Sequence, residues 1–122
     1  MKILIVDDSP DIRKTLALLI RCCGHETALA CDGQEGLIAF ERGQGEISMI
    51  FTDNDMPNMN GLDLIKKIRE TDSYVPVCLM SGLMEEGLEK KALDAGASAT
   101  LSKPMELKDV REVLQIGEAI HS

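Results

Sequence analysis

The sequence predicts an α/β domain in which a five-stranded parallel sheet is wrapped on both faces by five helices. Two observations carry this expectation. Five short apolar runs alternate with five stretches whose apolar residues recur at helical spacing, and short connections join them. Four of the runs end abruptly in polar chemistry, at Asp7-Asp8, Asp53, Ser81-Gly82 and Lys103-Pro104. Right-handed crossovers between parallel strands leave one sheet edge uncovered by helices, and that edge is where ligands bind.

Taken in order, Ile3 to Val6 reads as a strand buried on both faces, ended by Asp7-Asp8. Asp8 or Ser9 can cap a helix with Pro10 in its first turn, and Ile12, Leu16, Leu19, Ile20 and Cys23 form its inner face before Gly24 stops it. Thr27 to Cys31 is a second strand, closed by Asp32-Gly33. Gly36, Leu37 and Phe40 mark a second helix that ends around Gly43 to Gly45. Ile47 to Thr52 is the central strand, with Asp53 at its end and Pro57 and Gly61 shaping the loop beyond. Leu64, Ile65 and Ile68 give a helix to about Arg69, Val75 to Met80 a fourth strand, and Leu88, Ala92 and Ala95 a helix terminated by Gly96. Ala97 to Ser102 is the fifth strand, and Leu107, Val110, Val113, Leu114 and Ile120 line the last helix.

A chain of 122 residues can bury a full core as one domain, residues 1–122, with no linker or effector domain expected. Hydrophobic residues make up 44% and aromatic residues only 2%, which excludes an aromatic stacking platform for single-stranded nucleic acid. A formal net charge of −8 opposes phosphate backbones as well, so no nucleic acid is expected as a partner. Cys22, Cys23, Cys31 and Cys78 match no metal spacing and read as small hydrophobes in a reducing compartment. No apolar stretch is long enough for a signal peptide or a membrane span, so a cytoplasmic location is expected. His25 and His121 fall in no motif, and Met56 and Met59 read as loop packing.

The chemistry gathers where the strands end. Asp7, Asp8 and Asp53 converge on one edge, and three clustered carboxylates cannot all stay ionised at low cost without a cation among them. Oxygen ligands of this kind suit a hard ion such as Mg²⁺, which keeps several waters and leaves room for a phosphoryl oxygen. Lys103 offers a mobile positive charge and Ser81 a hydroxyl, so both can meet the oxygens of a phosphoryl group on Asp53.

Four motifs in register, Ile-Val-Asp7-Asp8, Asp53-Asn-Asp-Met56-Pro57 with Gly61, Ser81-Gly82, and Gly96-Ala97 leading to Lys103-Pro104, make the chain resemble the receiver domain of two-component response regulators, the chemotaxis receiver included. The resemblance covers nearly the whole chain and implies a flavodoxin-like doubly wound sheet with strand order 2-1-3-4-5. It implies Asp53 as phosphoacceptor, Asp8 as a direct Mg²⁺ ligand, Asp7 as a ligand through water, and the backbone carbonyl of Asp55 as a further ligand. Ser81 is then the switch hydroxyl and Lys103 the counter-charge of the phosphate. The partners implied are a histidine kinase or histidine phosphotransfer protein upstream, and a protein docked on the fourth helix, fifth strand and fifth helix downstream. One position departs from the family pattern, since Thr100 stands where an aromatic is usual, three residues before Lys103.

Two rival readings use the same residues. Asp53 and Asp55 have the spacing of the paired aspartates in haloacid-dehalogenase-like phosphatases, but the Met56-Pro57 that follows does not suit them, nor does a pair after the third strand. A phosphorylation-independent scaffold is disfavoured because every acid and the lysine are present. Leu83, Met84 and Leu93 lie off the apolar stripe of the fourth helix and are expected to be part-exposed, as a partner surface would be.

Overall fold

The computed structural model describes residues 1–43 and 45–121. Five strands and five helices alternate: β1 (Lys2–Val6), α1 (Pro10–Cys22), β2 (Glu26–Ala30), α2 (Gly33–Arg42), β3 (Ile47–Asp53), α3 (Gly61–Arg69), β4 (Val77–Ser81), α4 (Leu88–Ala95), β5 (Ala99–Ser102) and α5 (Leu107–His121). All pairings are parallel and the sheet order is β2-β1-β3-β4-β5. The expected topology is therefore present, with β1 and β3 side by side at its centre.

Strand alternation divides the core into two layers. Leu4, Val6, Ile50, Val77 and Leu79 face Leu64, Ile65 and Ile68 of α3 and Ala92 of α4, with Leu37 and Phe40 of α2 packed against them. Ile3, Ile5, Met49, Phe51, Cys78 and Met80 face Leu16, Ala17 and Ile20 of α1 and Val110, Val113 and Leu114 of α5. Each fully buried aliphatic side chain contributes about 1.5–3 kcal/mol, so the two layers fix which residues can lie at the strand ends.

The helices begin where the sequence supplies an acceptor for their unpaired amides. Ser9 accepts from the Ile12 amide, Asp32 from Glu35 and Asn60 from Asp63. Gly61 must be glycine for a different reason: a Cβ there would stand 2.4 Å from the Asp53 carbonyl oxygen and 2.6 Å from Leu79 Cδ1. The start of α3 thus rests directly on the backbone that carries Asp53.

Several expectations shift. Pro76 cannot donate to a ladder, so β4 starts at Val77, and Val75 is buried ahead of it. The fifth strand starts at Ala99, because the Ala97 amide is taken by Ala92 at the end of α4. The second strand ends at Ala30, one residue before Cys31. Ile120 is 52% exposed rather than core, since it lies in the last turn of α5, beyond the buried Gly117. Cys22 and Cys31 are exposed, Cys23 is half-buried, and only Cys78 is a core thiol. The histidines have structural partners: His25 lies 3.1 Å from the Met1 amine and 3.2 Å from Glu118, and His121 lies 3.0 Å from the Ser48 carbonyl. Met56 and Met59 pack against the core as expected. No helix among the described residues is long and apolar enough to cross a membrane.

Candidate functional site

Because β1, β3, β4 and β5 run parallel, their C-terminal ends deliver Asp7, Asp53, Ser81 and Lys103 to a single edge. Asp7 is fully buried and Asp53 is 5% exposed, whereas Asp8 is exposed beside them. One carboxylate oxygen from each of the three lies within 4.8 Å of the others. Lys103 reaches in from the end of β5 and bridges two of them, with Nζ 2.7 Å from Asp7 Oδ2 and 3.1 Å from Asp53 Oδ1. Its peptide to Pro104 is cis.

The three acids differ in how far the protein satisfies them. Asp7 accepts from the Ser9 amide at 2.9 Å as well as from Lys103, and its carbonyl accepts from Arg13 Nη1 at 2.6 Å. Asp8 makes no hydrogen bond or ion pair among the described residues. One lysine thus serves two buried carboxylates while a third faces the same space unneutralised. That is a donor set of oxygens with surplus negative charge, which fits a small divalent cation.

Burial pushes the Asp53 carboxyl above the usual carboxylate range, and the charge of Asp7 adds to the effect, while the hydrogen bond from Lys103 opposes it. Burial acts on Lys103 in the direction of a lower value, but its hydrogen bonds to Asp7 and Asp53 outweigh this and raise it. The lysine is held cationic by the acids it joins.

Ser81 is buried at the edge, and its hydroxyl is engaged by the backbone of Leu83. It donates to the Leu83 carbonyl at 2.9 Å and accepts from the Leu83 amide at 3.2 Å. Asp55 is exposed in the loop after β3. That loop is held at its ends by Asn54, whose amide donates to Met80, whose carbonyl accepts from Gly61 at 3.0 Å, and whose Oδ1 accepts from Leu62 at 3.3 Å. Thr100 pairs with Leu79 in the sheet and is half-buried. Leu83 and Leu93 are 67% and 50% exposed, as expected, and Met84 is half-buried. The sequence reading did not single out Arg13 or Asn54. Both act on backbone atoms, and nothing in their spacing from the acids signals it.

The response regulator receiver domain family model matches residues 3–115. The chain belongs to the response regulator receiver family. Among curated relatives, the chemotaxis protein CheY of Treponema pallidum is 34% identical over 112 residues, covering 91% of this chain and 78% of that protein. The gliding motility regulatory protein of Myxococcus xanthus is 33% identical over 105 residues, but this chain spans only 13% of its length. The solved complex of CheX, CheY, BeF₃ and Mg²⁺ from Borrelia burgdorferi contains a chain of TM-score 0.88 and 30% identity, with 100% of this chain and 90% of that one covered.

As a receiver, the protein is a signalling domain rather than a classical enzyme. Receivers bind Mg²⁺ at an acidic aspartate cluster and interact with histidine kinases and downstream targets.

Proposed function

We propose that this receiver accepts a phosphoryl group on Asp53 from the phosphohistidine of a histidine kinase or phosphotransfer protein, in a Mg²⁺-dependent reaction, and signals by altered partner binding or onward transfer. The observation that carries this reading is the single lysine shared by two buried carboxylates beside an unneutralised third. In the transfer, an Asp53 oxygen forms a bond to phosphorus as the phosphorus–nitrogen bond breaks, and the departing imidazole keeps the electron pair and takes a proton from solvent. Lys103, 3.1 Å from Asp53 Oδ1, follows the charge onto a phosphoryl oxygen. Asp8 and Asp53, with Asp7 through water and the Asp55 carbonyl, are the residues that would hold Mg²⁺, whose charge offsets that of the incoming phosphoryl oxygens when bound.

A groove beside the site supports an approach for the donor. An apolar groove of about 370 Å³, lined by Ile12, Leu16, Leu19, Pro104 and Met105, opens directly beside Lys103. A helix carrying the phosphohistidine would seat its apolar residues there.

Output rests on Ser81. Its hydroxyl exchanges the Leu83 carbonyl for a phosphoryl oxygen, which releases the loop ahead of α4 and shifts the exposed Leu83 and Leu93 between two populations. Thr100 supplies no large ring to lock either one, so the coupling is modest, about 1–2 kcal/mol.

Incubation with a small-molecule phosphodonor and Mg²⁺, read by intact mass, tests the reading. One added phosphoryl group is expected in the wild type and none in Asp53→Asn; equal gain in both would refute the assignment.

A further inference from the structure

The loop that carries Asp55 is fixed at its two ends by Asn54 and Gly61, but its middle is held by another part of the fold. Asn58 sits at φ +69, a left-handed conformation that asparagine tolerates better than most residues. From there its Nδ2 donates to Asp32 Oδ2 at 3.2 Å, across 26 residues of sequence. Asp32 is itself immobilised, because its Oδ1 caps α2 by accepting from the Glu35 amide at 2.8 Å. The next residue closes the same contact sterically. A Cβ on Gly33 would lie 2.4 Å from the Met59 carbonyl oxygen and 2.7 Å from Met59 Cβ, so the loop packs against the start of α2 at backbone distance. Met59 turns back on the loop, its amide donating to the Pro57 carbonyl at 2.7 Å.

We propose that Asp32 and Gly33 are positioning residues for cation binding: the β2–α2 turn clamps the β3–α3 loop through Asn58 and Met59, and so fixes the Asp55 carbonyl where the acidic edge can use it. The inference rests on the Mg²⁺ reading given above. A backbone carbonyl is a useful ligand only if its loop is already ordered, since an unordered loop must lose its freedom when the ion binds. Asn54 and Gly61 anchor the loop's ends but leave the stretch between them free to hinge. The Asp32–Asn58 bond and the Gly33–Met59 contact remove that freedom, and neither touches the carboxylates.

The test is Mg²⁺ affinity measured by calorimetry on unphosphorylated protein, with thermal unfolding in EDTA alongside. Asp32→Ala and Asn58→Gly are the informative variants, the second because it keeps the left-handed backbone while removing the amide. Each is expected to weaken Mg²⁺ by about tenfold, the low end for groups behind a metal ligand. The double variant should be no weaker than the worse single one, since both remove the same contact. Asp32→Asn keeps one oxygen to cap Glu35, and its Nδ2 can donate to Asn58 Oδ1 once the Asn58 amide turns over, so it should bind Mg²⁺ within twofold of wild type. Gly33→Ala pushes on Met59 without altering any polar group and should also weaken Mg²⁺. Folded Asp32→Ala and Asn58→Gly proteins that bind Mg²⁺ as tightly as wild type would overturn the clamp while leaving the proposed function intact. A wild type that binds no Mg²⁺ would overturn both.

Discussion

Replacing Lys103 with Met keeps a long apolar stem and removes the ammonium, with its charge and its hydrogen bonds to Asp7 and Asp53. In the metal-free protein at neutral pH, Asp7 and Asp53 then face each other without a cation. Breaking a buried ion pair by removing one partner costs about 3–5 kcal/mol. The Lys103 side chain is 15% exposed and those of Asp7 and Asp53 are 0% and 7%, so solvent screening discounts this little. Asp8 opens the site to water on one side, which favours the low end, about 3 kcal/mol. For a chain of this size about 4 °C of melting temperature is lost per kcal/mol, so Lys103→Met should melt about 12 °C below wild type in EDTA. The deficit should shrink as pH falls, because protonated acids need no counter-charge. Mg²⁺ should bind the variant more tightly, since no ammonium competes for the carboxylates; a tenfold gain would return about 1.4 kcal/mol at saturation. Thermal unfolding in EDTA and in Mg²⁺, with calorimetric titration, measures all three effects. A melting temperature within about 3 °C of wild type, or weaker Mg²⁺ binding, would refute the reasoning.

Asp53→Asn should stabilise the metal-free protein, because burial makes the charged form costly there. A carboxyl whose value is raised by folding stabilises the native state when protonated, and that contribution is lost as pH rises through the raised value. The advantage of the variant is therefore greatest at neutral pH and vanishes below the usual carboxylate range, as unfolding across that window would show. Among the thiols, Cys22 should react fastest with an alkylating reagent and Cys31 more slowly, because its hydrogen bond to Glu35 keeps the thiol protonated. Cys78, buried and pushed up to about 12, should react only on unfolding, which peptide mass mapping would reveal. Leu83→Ala and Leu93→Ala should leave melting within about 1 kcal/mol of wild type yet weaken binding of a downstream partner to the phosphorylated form, measured by titration with a stable phosphoryl mimic.

The sheet was legible because parallel strands buried on both faces leave unbroken apolar runs, and each run's end marks where side chains reach the open edge. Asp7, Asp8, Asp53 and Lys103 could be gathered on that rule, and the structure brings them together. What escaped the sequence depends on direction and on long-range contact. Nothing in Ser81-Gly82 tells that the hydroxyl turns onto Leu83, and nothing near Asp32 announces Asn58. Ile120 keeps helical spacing with the core residues of α5, but periodicity does not say where the sheet beneath a helix stops. Cys22 and Cys31 were misplaced for a related reason, since apolar neighbours in sequence do not decide which face of α1, or which side of the end of β2, a residue takes.

The most direct measurement of the central claim locates the phosphoryl group chemically. An acyl phosphate on an aspartate is reduced by borohydride to homoserine, whereas phosphoserine, phosphothreonine and phosphohistidine are not. After incubation with a phosphohistidine donor protein and Mg²⁺, the account predicts homoserine at position 53 alone, and none when EDTA replaces Mg²⁺. Homoserine at Asp7, Asp8 or Asp55 instead, or the same yield at position 53 without a divalent cation, would contradict it.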